Sequence, residues 1–90
     1  MNKITREFIE HKIKDIKYIY PEGTTLTICI IKLDNGFTVF GKSSCVDLNN
    51  YDKNVGDDIA YNNAFDKLWE PVGYHLKEQI FQANKDNDGL

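Results

Sequence analysis

The sequence predicts an α+β fold: a small antiparallel sheet of two to three strands, an N-terminal helix before it and two helices after it. Three observations carry this. Asp34-Asn35-Gly36-Phe37 holds Asn-Gly between two apolar β-branched runs, the strongest short hairpin signal. Apolar residues recur at helical spacing near the N-terminus (Ile4, Phe8, Ile9, Ile13, Ile16). They do so again from residue 54 to residue 83.

Taken in order, residues 3–14 read as the first helix. Asp15–Tyr20 alternates through Ile16, Tyr18 and Tyr20 as a short strand, and Pro21-Glu22-Gly23 turns the chain. Thr24–Leu33, rich in Thr and Ile, is the clearest strand, and Phe37–Lys42 returns beside it. A two-residue Asn35-Gly36 loop would set Leu33 opposite Thr38 and Ile31 opposite Phe40. One face would then carry Cys29, Ile31, Leu33 and Phe40, and the other Leu26, Ile28, Ile30, Phe37 and Val39. Both are apolar, whereas antiparallel sheets usually wet one face. The expectation is a homo-oligomer, dimer or higher, with the second face covered by the N-terminal helix or by another copy. Val46–Lys53 reads as a loop and Asn54 as the N-cap of a helix running to about Trp69. Ala60, Tyr61, Ala64, Phe65, Leu68 and Trp69 fill half of its wheel. Pro71 suits the first turn of a last helix, striped by Val72, Leu76, Ile80 and Ala83.

Ninety residues make one small domain, expected over 1–84 with 85–90 as a frayed tail. The net charge is −3, Arg6 is the single arginine, and lysines alternate with acids. That balance argues against DNA as a partner, since counterion release needs clustered cations. No apolar run approaches the roughly 18 residues of a membrane span. The opening MNKITREFIEHK lacks the apolar core of an export signal, so the expected compartment is cytoplasmic, with Cys29 and Cys45 reduced.

Motifs of catalysis are not visible, and neither an enzyme nor a cofactor or metal is expected. His11 and His75 stand far apart, on separate helices and without a neighbouring ligand. Cys29 sits mid-strand as a small core residue, and nothing around Cys45 would activate a thiolate. Tyr61, Phe65 and Trp69, four residues apart, read as core or as a stacking ladder. Asn63 and Lys67 flank the same helix face, as a solvated margin or as a grip on a polar ligand. Lys42, Ser43 and Ser44 offer a cation and two hydroxyls just past a strand, and Gly56 lies near a helix N-terminus where free N–H groups meet anions. Together with Tyr51 these leave room for a small phosphorylated ligand.

The stretches "NGFTVFGKSSCVD", "NNYD", "NAFDKLWE" and "GYHL" resemble a family of short phage proteins of unknown function, over about Ile16 to Leu76. Pro71 and Val72 stand where that pattern has Leu-Glu. The pattern is also similar to the phage anti-Thoeris sponges. The resemblance implies a counter-defence protein in the cytoplasm of an infected bacterium, a small oligomer with pockets between subunits. It would hold a cyclic ADP-ribose-type messenger, or another cyclic nucleotide, without cleaving it. In that setting Lys42, Ser43, Ser44, Tyr51, Asn63 and Lys67 are the candidate ligand contacts, provided the 43–53 loop folds over the helix. The competing expectation is a phage inhibitor that docks on a host enzyme through the second apolar face or the last helix.

Overall fold

The computed structural model describes residues 4–88, with side chains through residue 85. The element order is α1 (Arg6–Glu10), β1 (Ile13–Ile19), β2 (Leu26–Leu33), β3 (Thr38–Ser44), a 3-10 turn at Leu48–Asn50, α2 (Lys53–Asp66) and α3 (Trp69–Asp88). The sheet is antiparallel in the order β1-β2-β3, so β1 and β3 are its two edges. The α+β class is as the sequence predicts.

Three local expectations change. The first helix is short. Thr5 caps it, accepting the Phe8 N–H at 3.1 Å, and it ends at Glu10. Ile13 and Ile16, three apart, suggested a continuing helix. They belong instead to β1, where an irregularity at Lys14 inserts one extra residue between Ile13, opposite Leu33, and Asp15, opposite Lys32. A strand period of two plus one bulge residue reproduces the helical spacing of three.

The hairpin loop has three residues. The Leu33 N–H donates to Phe37 O at 2.8 Å, and the Gly36 N–H donates to Leu33 O at 3.0 Å. Gly36 alone in the loop takes positive φ, at 91°, and the Asn35 side chain accepts the Phe37 N–H at 2.9 Å. The register therefore shifts by one from the expected pairing. Ile31 faces Val39 and Ile30 faces Phe40. A one-residue slip exchanges the faces of a whole strand. Val39 packs against the core, while Phe40 turns outward, 56% exposed.

The third change concerns α2, whose N-cap is Asp52 rather than Asn54. Its carboxylate accepts the N–H groups of Asn54 at 2.9 Å and Val55 at 3.4 Å. At its other end α2 stops at Asp66, and a tight turn through Lys67 and Leu68 leads into α3. Pro71 sits in the first turn of α3, where its missing N–H costs least.

The core lies on one side of the sheet. Cys29, Ile31 and Leu33 from β2 meet Ala60, Ala64, Phe65 and Leu68 from the end of α2, with Ile9 of α1 and Val72 of α3 closing the ends. Tyr61, Phe65 and Trp69 stack in sequence, at 5.8 and 6.0 Å between ring centroids, so Phe65 is core between two partly covered rings. Arg6 lies over the Phe65 ring at 4.2 Å. The first helix thus shares the covered side with α2. The opposite face of the sheet, with Leu26, Ile28, Ile30 and Phe40, has no helix over it among the described residues. The chain is elongated, 66 × 21 × 17 Å, with a radius of gyration of 17.4 Å. A compact domain of this length would have about 12 Å.

Candidate functional site

The end of the hairpin and the start of α2 form an open cleft of about 240 Å³. Thr25, Ser43, Ser44, Cys45, Asn50, Tyr51 and Asp52 line it with the apolar Val55 and Ile59. Local bonding explains its shape. Ser43 donates to Gly56 O at 2.7 Å, fastening the last turn of β3 to α2. The hydroxyl of Thr25 accepts the Cys45 N–H at 3.2 Å and donates to Cys45 O, which holds the chain as it leaves the sheet. Asp47 caps the 3-10 turn through the Asn49 N–H at 2.9 Å, and Cys45 Sγ donates to Asp47 O at 3.0 Å. The Tyr51 hydroxyl lies 3.5 Å from Thr27 Oγ1, which is buried. A Cβ on Gly56 would fall 3.1 Å from that Thr27 oxygen, so the glycine lets helix and strand approach.

Of the six residues singled out from the sequence, three line this cleft, although Ser44 pairs with Leu26 and so turns its side chain to the outer face. Ser43 and Ser44 are the last residues of β3 rather than a loop beyond it, and Tyr51 closes the 43–53 segment over them. Lys42 is not in the cavity. It lies opposite Ile28, on the outer face. Asn63 and Lys67 are engaged at the β3 edge. Asn63 donates its amide N–H to Lys42 O at 2.8 Å, and the Lys67 ammonium donates to Phe40 O at 2.6 Å while lying 4.6 Å over the Phe40 ring.

The expected anion site at Gly56 also changes. Its N–H donates to Asp52 O at 2.9 Å, inside the first helical turn. The neighbouring N–H groups belong to the Asp52 carboxylate, which also lines the cavity. The cavity offers hydroxyls, an amide and apolar walls, with Asp52 as its charged lining residue. It suits a neutral, hydrogen-bonding ring better than a phosphate. Asp52 and Asn50, a cap and a turn residue, carry no periodic signal in the sequence, and nothing in the residue types of Thr25 and Val55 sets them apart from other strand and helix positions.

Other groups serve structure. His11 bonds Glu7 O at 3.0 Å through Nδ1. Burial pushes the Cys29 thiol pKa up, with the neighbouring Tyr18 hydroxyl acting in the other direction, so this thiol stays protonated in the core. Tyr20 donates to Asp57 at 2.7 Å, and that bond raises its pKa.

A three-stranded sheet backed by helices on one side, with a small polar-rimmed cleft, defines a small α+β protein. The chain belongs to the phage protein family described as N4 Gp49/phage Sf6 gene 66, whose model matches residues 4–80. No curated protein and no solved structure matches it. No helix among the described residues is long and apolar enough to cross a membrane.

Proposed function

We propose that this protein captures a cyclic nucleotide immune signal, of the cyclic ADP-ribose type, and withholds it from a host defence effector without cleaving it. The cleft at Ser43, Ser44 and Tyr51 carries this reading. The Ser43 hydroxyl oxygen, whose proton goes to Gly56 O, would accept from a base or ribose beside the Asn50 amide, while Tyr51, Val55 and Ile59 supply the apolar walls. Membership of a phage family supports the setting. At about 240 Å³ the cleft is smaller than the roughly 300–1,000 Å³ of a complete small-molecule pocket. Among the described residues its lining also has no Lys or Arg. Cations from another copy of the chain would neutralise the phosphates of such a ligand, and the working unit would then be an oligomer in the cytoplasm of the infected host.

The test is capture and release. Purified protein is mixed with the messenger made by a bacterial TIR enzyme, filtered, then heated. The messenger should leave the filtrate and return intact on denaturation. Tyr51→Ala should weaken capture at least tenfold while the fold is retained. An unchanged filtrate, or messenger recovered as a hydrolysed product, would overturn the reading.

A second reading has its own observation. The outer sheet face exposes Phe40 and Ile19, at 56% and 44%, beside half-covered Leu26, Ile28 and Ile30. Such a patch suits a protein partner, as a phage inhibitor of a host enzyme would need. Ile30→Lys separates the two. Loss of anti-defence activity in infected cells with messenger capture intact would favour protein contact.

A further inference from the structure

The two edges of the sheet are treated differently. On β3, the outward carbonyls of Phe40 and Lys42 are occupied by Lys67 and Asn63. On β1 nothing comparable occurs among the described residues. Which β1 groups point outward follows from one bond. The Leu33 N–H turns toward β3, to Phe37 O. Alternate residues of an antiparallel strand turn the same way, so Ile31, Cys29 and Thr27 also bond β3, and Lys32, Ile30 and Ile28 bond β1. Their β1 partners are Asp15, Lys17 and Ile19. The N–H and C=O groups of Ile16 and Tyr18 therefore point away from the sheet. Among the described residues no side chain bonds them. The same alternation makes Phe40 and Lys42 outward on β3, where their carbonyls are seen to be capped. The strand is also exposed along its length after Ile13, with Ile16, Tyr18 and Ile19 each more than a third open.

We propose that β1 is the strand through which two copies of this chain join, antiparallel about Ile16, making one continuous six-stranded sheet. Edge strands that remain single are usually defended by charge, and Lys17 resembles such a guard. Self-pairing about Ile16 removes its effect. It sets Asp15 of each copy opposite Lys17 of the other, twice, on the outer face. The Ile16 residues exchange both N–H···O=C bonds with each other. Pairing about Lys17 would instead place like charges side by side, and pairing about Tyr18 would leave Lys17 opposite Ile19. Opposite charges directly across a strand pair stabilise it and like charges oppose it, so the charge pattern selects the Ile16 register. The helices of both copies then lie on the same side of the joined sheet. The interface needs no ligand, and its success or failure is independent of what the cleft binds.

Sedimentation velocity of the full-length protein without ligand tests this. The wild type should dimerise at micromolar concentration. Asp15→Lys should weaken the dimer at least tenfold, and the exchanged pair Asp15→Lys with Lys17→Asp should restore it to within about threefold. Ile16→Pro, which removes an outward N–H while sparing the bonds to β2, should give a monomer with unchanged circular dichroism. A wild type that stays monomeric at 100 µM (about the upper range for such a contact), an Asp15→Lys dimer as tight as wild type, or a charge exchange that fails to restore association would each overturn the proposal. Sedimentation without ligand reports on β1 alone, whereas messenger capture, measured separately, reports on the cleft and on any copy that supplies its cations.

Discussion

The β3 edge is closed by the protein's own chain, whereas the β1 edge is left bare. At β3 the closure begins with one missing atom. Gly41 is buried against α2, and a Cβ there would collide with the Ala64 nitrogen and come within 2.7 Å of the Asn63 carbonyl carbon. That approach brings Asn63 and Lys67, one turn apart, over the Lys42 and Phe40 carbonyls. At β1 no helix comes as near, because α2 packs on β2 and β3. The difference teaches that Asn63 and Lys67, which looked like a ligand grip, finish the sheet. A polar pair beside small residues on a helix marks a close helix–strand contact as readily as a binding site.

The largest effect that would break this contrast comes from Gly41. Gly41→Val should cost at least about 3 kcal/mol in urea unfolding, since backbone atoms on α2 cannot yield as a side chain would. A loss under about 1 kcal/mol would mean the helix stands farther from β3 than described. Next in size are the caps. Asn63→Ala and Lys67→Met should each cost about 1 kcal/mol, because both side chains are solvent-exposed and the carbonyls they leave can turn to water. Together they should also open β3 to new self-association, visible as species larger than the wild type in sedimentation.

The smallest effect is read at high pH. Partial burial, followed by the Cys29 thiol, pushes the Tyr18 pKa from 10.0 up to about 12. The neutral phenol is the form the fold favours. Its contribution to stability is full below pH 10 and is lost as pH rises toward about 12. Tyr18→Phe should lessen the slope of the stability profile across that window, and absorbance at 295 nm should lose one of the late-titrating tyrosines, Tyr20 and Tyr61 being the others. An unchanged slope would remove Tyr18 as its source.

Much of this architecture is legible in the residues, and the exceptions share a cause. The hairpin, the α2 core stripe of Ala60, Ala64, Phe65 and Leu68, and the break before Pro71 all follow from periodicity and turn chemistry. The misread points are those where a single inserted residue changes a period. The bulge at Lys14 makes strand residues look helical, and the third loop residue, Asp34, moves Phe40 to the outer face. Neither insertion has a residue type of its own. The cleft was half legible. Ser43 and Tyr51 share it, whereas the shifted register turns Lys42 and the Ser44 side chain to the other side of the sheet. Spacing did not show that Asp52 would occupy the helix N-terminus kept in mind for an anion.

Amide hydrogen exchange at two protein concentrations tests the edge asymmetry most directly. Between 1 and 100 µM (a span of roughly 2.7 kcal/mol in association), the amides of Ile16 and Tyr18 should gain protection, while those of Phe40 and Lys42 on the opposite edge stay unchanged. Equal exchange at both concentrations along β1, or protection gained at β3 instead, would contradict it.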